Sequence, residues 1–369
     1  MSLSARLEGA LAPALAAAGL PGAVGLVVGR EGLLAEVAIG HSPAARFDLA
    51  SMTKPLVSVA ALQLVEQGKL SLDAPIAELL PQLADPQVLE GFDADTPVLR
   101  LARGPLTLRH LLTHTSGLGA DFVQPEVARM RRQPAKPGTM ASITMPLLFD
   151  PGTGWAYGSS TDWAGLAVAA ASGLPLDTYL HHHVLEPLGM HATAYGGAEV
   201  MMMARGADGL LAPLPGFATF RPGAEFVPGG AGLAGTAMDY GRFLRALLND
   251  GALDGQRILG PDMVAAFWQN QTGSLAAGRL TTALPWLLTP FDPAPGQRCG
   301  WGLGTAVHLE AGHNGRSAGS LAWGGIGNTH FWVDPAAGLG AILLMQMLPF
   351  GDAAALSVLA AFERAIYTR

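Results

Sequence analysis

Ser51-Met52-Thr53-Lys54 sets a hydroxyl and an amine three residues apart, at the head of an apolar run with helical spacing at Leu56, Val59, Ala60, Leu62 and Val65. On a helix that interval puts both side chains on one face, so the amine comes within reach of the hydroxyl. A serine hydroxyl becomes an effective nucleophile when a base takes its proton. An amine does this only where burial or a neighbouring cation draws its pKa down from about 10.4. The helix N-terminus adds backbone N–H groups aimed at charge developing beside Ser51. A serine in that place also suits a plain helix cap, so the tetrapeptide alone does not decide. Lys54, Lys69 and Lys136 are the only lysines of a chain that otherwise uses arginine, which stays protonated and cannot serve as a base.

Other segments carry reactive side chains. Gly315-Arg316-Ser317-Ala318-Gly319 has the form of a nucleophile elbow, which requires an acid and then a histidine further along the chain. After Ser317 the only histidine is His330, and Asp334 and Asp352 both follow it, with too little chain left for such a sheet. The segment reads as a Gly-rich loop before the strand that holds Trp323. In His181-His182-His183, successive helical residues point about 100° apart and do not converge on one ion. His110 and His114 stand i, i+4 without the glutamate of a zinc helix and read as structural. Met201-Met202-Met203 reads as an apolar surface or pocket wall. Arg129, Arg131 and Arg132 read as a solvated loop face. No metal is expected.

Composition bounds what positions these residues. The chain has 369 residues, 50% hydrophobic and 14% charged, with 22 Lys+Arg against 29 Asp+Glu, enough for a sizeable core and opposite to a disordered balance. No basic stripe points to nucleic acid. Cys299 is the sole cysteine, which excludes an internal disulfide and Cys-based zinc clusters. The uncharged stretch from Gly9 to Gly29 is interrupted by Pro13, Pro21 and five glycines. It reads as a surface helix to about Ala18, a turn, and a buried strand over Ala23–Val28, rather than a membrane span or signal peptide. A cytoplasmic protein with no membrane partner is expected.

Further elements follow from periodicity and breakers: a hairpin partner over Leu33–Ile39, a helix over 52–67 closed by Gly68, and a short helix over Thr107–Leu112. Residues 118–155, dense in Pro and Gly, read as a long surface loop or lid. Helical patterns return at 162–172, 175–185 and 237–250. Strands are expected at 301–308, 320–325, 329–333 and 339–347, and an amphipathic helix at 351–367. The fold class is α+β: an antiparallel sheet built from both termini and flanked by helices, with an inserted, mainly helical region. Residues 1–50 and 295–369 then form one part and 51–294 the other, with the site between them.

Several motifs occur together in order. Phe47-Asp48-Leu49-Ala50 leads into Ser51-Met52-Thr53-Lys54-Pro55. Then come Leu106-Thr107-Leu108-Arg109-His110-Leu111-Leu112-Thr113-His114-Thr115-Ser116-Gly117-Leu118, and Pro151-Gly152-Thr153-Gly154-Trp155-Ala156-Tyr157-Gly158-Ser159. Gly229-Gly230-Ala231-Gly232-Leu233 and Trp323-Gly324-Gly325-Ile326 follow. This series, from about residue 20 onward, resembles the serine β-lactamase and penicillin-binding-protein superfamily, and within it the class C β-lactamase-like carboxylesterases called family VIII.

The resemblance implies Ser51 as acyl-forming nucleophile, Lys54 as its proton-handling partner and Tyr157 as general base or acid. A tyrosine beside a lysine fits that role, since a nearby cation favours phenolate and the two groups share a proton. It also implies an oxyanion hole from the N–H groups of Ser51 and Ile326. Substrate contacts would come from Trp323, Gly324, Gly325, Ser159 and Trp155. β-Lactamases of this group carry Tyr-x-Asn where this chain has Tyr157-Gly158-Ser159, and Lys-Thr-Gly where it has Trp323-Gly324-Gly325. An indole cannot pair with a substrate carboxylate as a lysine does, so Trp323 is expected to offer an apolar face to a neutral ester. The two glycines are expected to admit substrate close to the strand.

The function implied is a serine carboxylesterase acting on short-chain or apolar esters through an acyl-enzyme, with no cofactor and a small-molecule ester as its partner. Rivals on the same scaffold are an acyltransferase, a D-stereospecific peptidase or a weak β-lactamase. A different class of rival is a catalytically silent penicillin-binding-like module. Neither the acyl-chain length nor the oligomeric state is legible.

Overall fold

The computed structural model describes residues 1–131, 133 and 135–368; Arg132 lies outside the described residues. Its frame is a seven-stranded antiparallel sheet made from the two ends of the chain. The N-terminal end gives β1 (Ala23–Gly29) and β2 (Leu33–Ile39). The C-terminal end gives β3 (Cys299–Trp301), β4 (Ala306–His308), β5 (Leu321–Gly325), β6 (Thr329–Asp334) and β7 (Leu339–Leu344). The spatial order is β3-β4-β5-β6-β7-β1-β2, so the termini meet where β1 pairs with β7, Val24 opposite Leu344 and Gly29 opposite Leu339.

Helices cover both faces, which is why β1 is buried at every position. On one face lie α1 (Leu3–Ala18) and α7 (Ala353–Tyr367), which pack on each other. The i, i+4 spacing of Leu7, Leu11 and Leu15 turns one stripe of α1 inward, where it joins Val27, Trp332, Leu343 and Phe362. Each such leucine contributes about 1.5–3 kcal/mol by leaving water. The other face packs against α6 (Ala237–Leu248) and, beyond it, a larger core containing α2 (Thr53–Glu66) and α4 (Ser160–Ser172). No helix among the described residues is long and apolar enough to cross a membrane.

Four expectations need correction. The strand expected over 301–308 is a hairpin, because Gly304 turns at φ +122° and lies so close to Ser58 that a Cβ there would be 2.2 Å from its Oγ. The strand expected over 339–347 ends at Leu344, and Met347–Leu348 instead pairs in parallel with Met203–Arg205. The segment 118–155 is no bare loop: it holds helices Pro125–Arg131 and Met140–Ile143 and buries Val127, Ile143 and Leu147. Arg129 and Arg131 tie it down rather than facing solvent alone. Arg129 lies 4.1 Å over the Phe92 ring, and Arg131 donates to the Ala141 carbonyl at 2.7 Å. Fourth, the helix expected over 175–185 is α5 (Leu176–Leu180) followed by a π turn over His181–Leu185. A further hairpin, Gln87–Asp93 with Thr96–Leu101, was not expected, since its turn at Ala94 (φ +49°) lacks the Asn-Gly or Asp-Gly signature.

Candidate active site

A buried carboxylate prepares the turn that carries Ser51. Asp48 accepts the Ala50 N–H at 3.0 Å and the Thr219 N–H at 2.8 Å, while its own N–H donates to Gln346 Oε1 at 3.0 Å. Burial pushes its carboxyl up from the ordinary range, and the bonds from Thr219 and Ala50 pull it back. Ala50 is thereby held at φ +46°, a left-handed conformation costly for any residue with a Cβ. A 3₁₀ turn over Ala50–Met52 then feeds α2, and the Tyr240 hydroxyl donates to the Met52 carbonyl at 3.0 Å.

Lys54, in the first turn of the buried helix α2, donates from Nζ to Ser51 Oγ at 3.0 Å and to the Gly230 carbonyl at 2.6 Å. The Gly230 N–H donates to Asp162 Oδ1 at 2.9 Å, so a carboxylate fixes the peptide whose carbonyl fixes the amine. Burial raises the Asp162 carboxyl, and the Lys54 cation is the first influence drawing it down. The loop approaches α4 so closely that a Cβ on Gly229 would stand 2.2 Å from the Thr161 carbonyl oxygen. The Gly229-Gly230 motif thus serves to hold the Lys54 amine.

Tyr157 arrives from the segment before α4. Its neighbour Ala156 donates its N–H to the His114 carbonyl at 3.0 Å, and Gln124 Nε2 donates to the Tyr157 carbonyl at 3.0 Å. Lys54 Nζ lies 4.7 Å from the centre of the phenol ring. The phenol oxygen accepts the Trp323 indole N–H at 3.1 Å, which directs its own proton away from the indole. Ser51 and the sequence-distant Tyr157 therefore gather around the Lys54 amine.

The expected substrate contacts fare unevenly. Trp323 is 5% exposed and spends its N–H on Tyr157, so it positions the phenol rather than offering an apolar face. Gly324 and Gly325 are required by the protein's own packing. A Cβ on Gly325 would lie 2.3 Å from the Leu49 carbonyl oxygen and 3.1 Å from the Ala50 Cβ, and one on Gly324 would lie 2.7 Å from the Thr329 carbonyl oxygen. That contact seats the end of β5, just before the partly buried Ile326, against the turn that carries Ser51. Ser159 is buried and donates to the Ile143 carbonyl at 3.3 Å. Trp155 stacks beside Tyr157 with ring centres 6.3 Å apart and walls a cleft of about 540 Å³ with Phe92, Leu148 and Phe149.

Other residues noted in the sequence also find places. His114 is buried at φ +57° with its ring 4.8 Å from that of Tyr157, and burial and the Lys54 cation hold its pKa well below the usual value. It is thus a neutral wall of the site, which its i, i+4 relation to His110 did not reveal. Ser317 lies away from this crevice, its N–H bonded to Asp334 Oδ2 at 2.8 Å. Met202 is buried and, with Met201, lines a separate cavity of about 380 Å³. The three histidines do not converge, as expected, and His183 turns to Tyr179. The 100° spacing assumed an α-helix, and the π turn brings His181 and His182 together with Glu186.

A family model described as beta-lactamase matches residues 7–363. The chain belongs to the β-lactamase family. This β-lactamase-family chain is similar to monacolin J acid methylbutanoyltransferase of Aspergillus terreus, at 35% identity covering 87% of this chain and 81% of that one. It is similar to esterase EstB of Burkholderia gladioli at 33% identity, covering 100% and 96%. Among solved structures, a mutant of simvastatin synthase (LovD) from Aspergillus terreus superposes with a TM-score of 0.84 at 30% identity over 99% and 97% of the two chains. The protein is accordingly a serine hydrolase of the β-lactamase family, on a scaffold that also supports acyl transfer.

Proposed function

We propose that this hydrolase cleaves neutral carboxylic esters through an acyl-enzyme on Ser51. The observation that carries the reading is the Lys54 amine, 3.0 Å from Ser51 Oγ and 4.7 Å from the centre of the Tyr157 ring. Ser51 Oγ attacks the ester carbonyl as its proton passes into the Lys54/Tyr157 pair. The negative charge that develops on the carbonyl oxygen is met by the N–H groups of Ser51 and Ile326. Loss of one such donor typically costs about 2.7–4 kcal/mol. The pair returns the proton to the departing alcohol as the C–O bond breaks. Water then gives a proton to the pair and attacks the acyl carbon, releasing the acid and restoring the serine hydroxyl.

Two features favour a neutral, apolar substrate. A tryptophan occupies the position of the lysine that would pair with a carboxylate, and the cleft beside Tyr157, walled by Phe92, Leu148, Phe149 and Trp155, also carries Glu90 and Glu126, which would repel an anion. Arg279, also at that cleft, is paired with Asp292 at 2.9 Å. Acyl transfer to an alcohol in place of water is the second reading, favoured by the similarity to a methylbutanoyltransferase across 87% of the chain.

Ser51→Ala abolishes turnover of a short-chain chromogenic ester, while Ser317→Ala leaves it intact; the reverse pattern overturns the assignment. Added alcohol yields a new ester at the expense of free acid if transfer operates.

A further inference from the structure

His181-His182-His183 plays no part in the catalytic reading. An α-helix would scatter its side chains, carrying Glu186 about 140° round the axis from His181, past His182. The chain winds differently there. Gln63 of α2 donates from Nε2 to the His183 carbonyl at 2.9 Å and to the Ile258 carbonyl at 2.7 Å, drawing one helical carbonyl sideways. The Glu186 N–H closes on the His181 carbonyl at 2.9 Å, an i to i+5 bond. In such a π turn each residue advances roughly 80°, so Glu186 falls roughly 40–50° from His181, between the two imidazoles.

The side chains follow the backbone. Ligand atoms of His181, His182 and Glu186 all lie within 4.8 Å of one another, and His182 Nδ1 stands 3.5 Å from Glu186 Oε2. His183 leaves the group, its ring 4.3 Å from that of Tyr179. A tetrahedral ion at about 2.0–2.2 Å from each ligand needs donors about 3.3–3.6 Å apart, a gap that small rotations of these exposed side chains close.

We propose that His181, His182 and Glu186 form a surface site for a divalent transition-metal ion of the zinc class, completed by water. Two imidazoles and one carboxylate suit zinc and its neighbours, whereas calcium and magnesium require oxygen donors throughout. The sole cysteine, Cys299, is buried and does not compete for the ion. The metal ligands lie outside the trio of Ser51, Lys54 and Tyr157, so the site stands or falls apart from the ester reaction.

The test is calorimetric titration of untagged, metal-stripped full-length protein with Zn²⁺ alone at neutral pH. One equivalent binds; His182→Ala and Glu186→Gln each weaken binding at least tenfold, His183→Ala leaves it unchanged, and Ca²⁺ gives no signal. Gln63→Ala, which frees the His183 carbonyl, also weakens binding; its thermal melt shows whether the fold has survived. The absence of Zn²⁺ binding, or a loss with His183→Ala equal to that with His182→Ala, overturns the proposal, the latter because it marks a nonspecific histidine tract.

Discussion

On one face of the sheet, Trp323 donates its indole N–H to the Tyr157 hydroxyl at 3.1 Å, with Lys54 Nζ 4.7 Å from that phenol ring. On the opposite face, Trp332 donates to the Tyr367 hydroxyl at 3.0 Å, with the Arg316 guanidinium 4.6 Å over the indole. Both faces thus assemble a tryptophan, a tyrosine and a buried cation. Their charges are settled differently. Arg316 pairs with Glu363 at 3.1 Å, and Tyr367 donates to Asp334 at 3.0 Å. Lys54 meets a hydroxyl and a carbonyl, and the Asp162 carboxylate reaches it through the Gly230 peptide. A cation locked to a carboxylate braces the fold; the Lys54 amine meets only neutral oxygens directly, as the proposed proton exchange with Ser51 requires.

The comparison is broken or sharpened by exchanging charge on each side. The largest effect is expected at the front. Lys54→Ala or Tyr157→Phe lowers kcat for ester hydrolysis by about 10²–10⁴-fold, the range of a lost general acid or base, with the thermal melt little changed. Unaltered turnover would mean the front assembly is structural too. Next, Glu363→Gln leaves Arg316 buried without its partner and costs about 3–5 kcal/mol of stability in denaturant unfolding, while kcat of the folded fraction holds.

The third prediction concerns acid. Burial, assisted by the Arg316 cation, lowers the pKa of His308 and His330 to about 3 from an ordinary 6.5. Between those values the unfolded chain binds more protons than the folded one. Stability is therefore fully present above about pH 6.5 and is lost as pH falls toward 3, by up to about 1.4 kcal/mol per unit for each histidine. His308→Asn flattens the dependence of Tm on pH over that window; an unchanged slope contradicts the assignment. The smallest effect is at Trp323: removing its N–H with Trp323→Phe lowers kcat about tenfold, the worth of about one hydrogen bond, and moves the pH profile of kcat.

Much of this was legible in the sequence, and the failures have physical causes. Periodicity located α2, whose apolar residues follow the helical repeat, while turn signals bounded the continuous apolar run of β1 and its hairpin partner β2. It placed a helix over 175–185 but not its π winding, which sits beside a tertiary contact, Gln63 to the His183 carbonyl, that no local pattern encodes. The order of motifs brought Ser51, Lys54 and Tyr157 forward, yet Asp48, Asp162 and Trp323 act by holding other groups, and a single chain's sequence does not say whom a side chain holds. Gly325 shows the same limit: sequence marked it as a close approach of substrate, and the structure shows the approaching group to be the Leu49–Ala50 backbone that leads into Ser51.

The central claim is that Ser51 carries the acyl group. Incubation with a fluorophosphonate followed by peptide mass spectrometry tests it directly. The account predicts one adduct, on the peptide containing Ser51, absent in Ser51→Ala and retained in Ser317→Ala. An adduct on Ser317, or none on a protein that still hydrolyses esters, would contradict it.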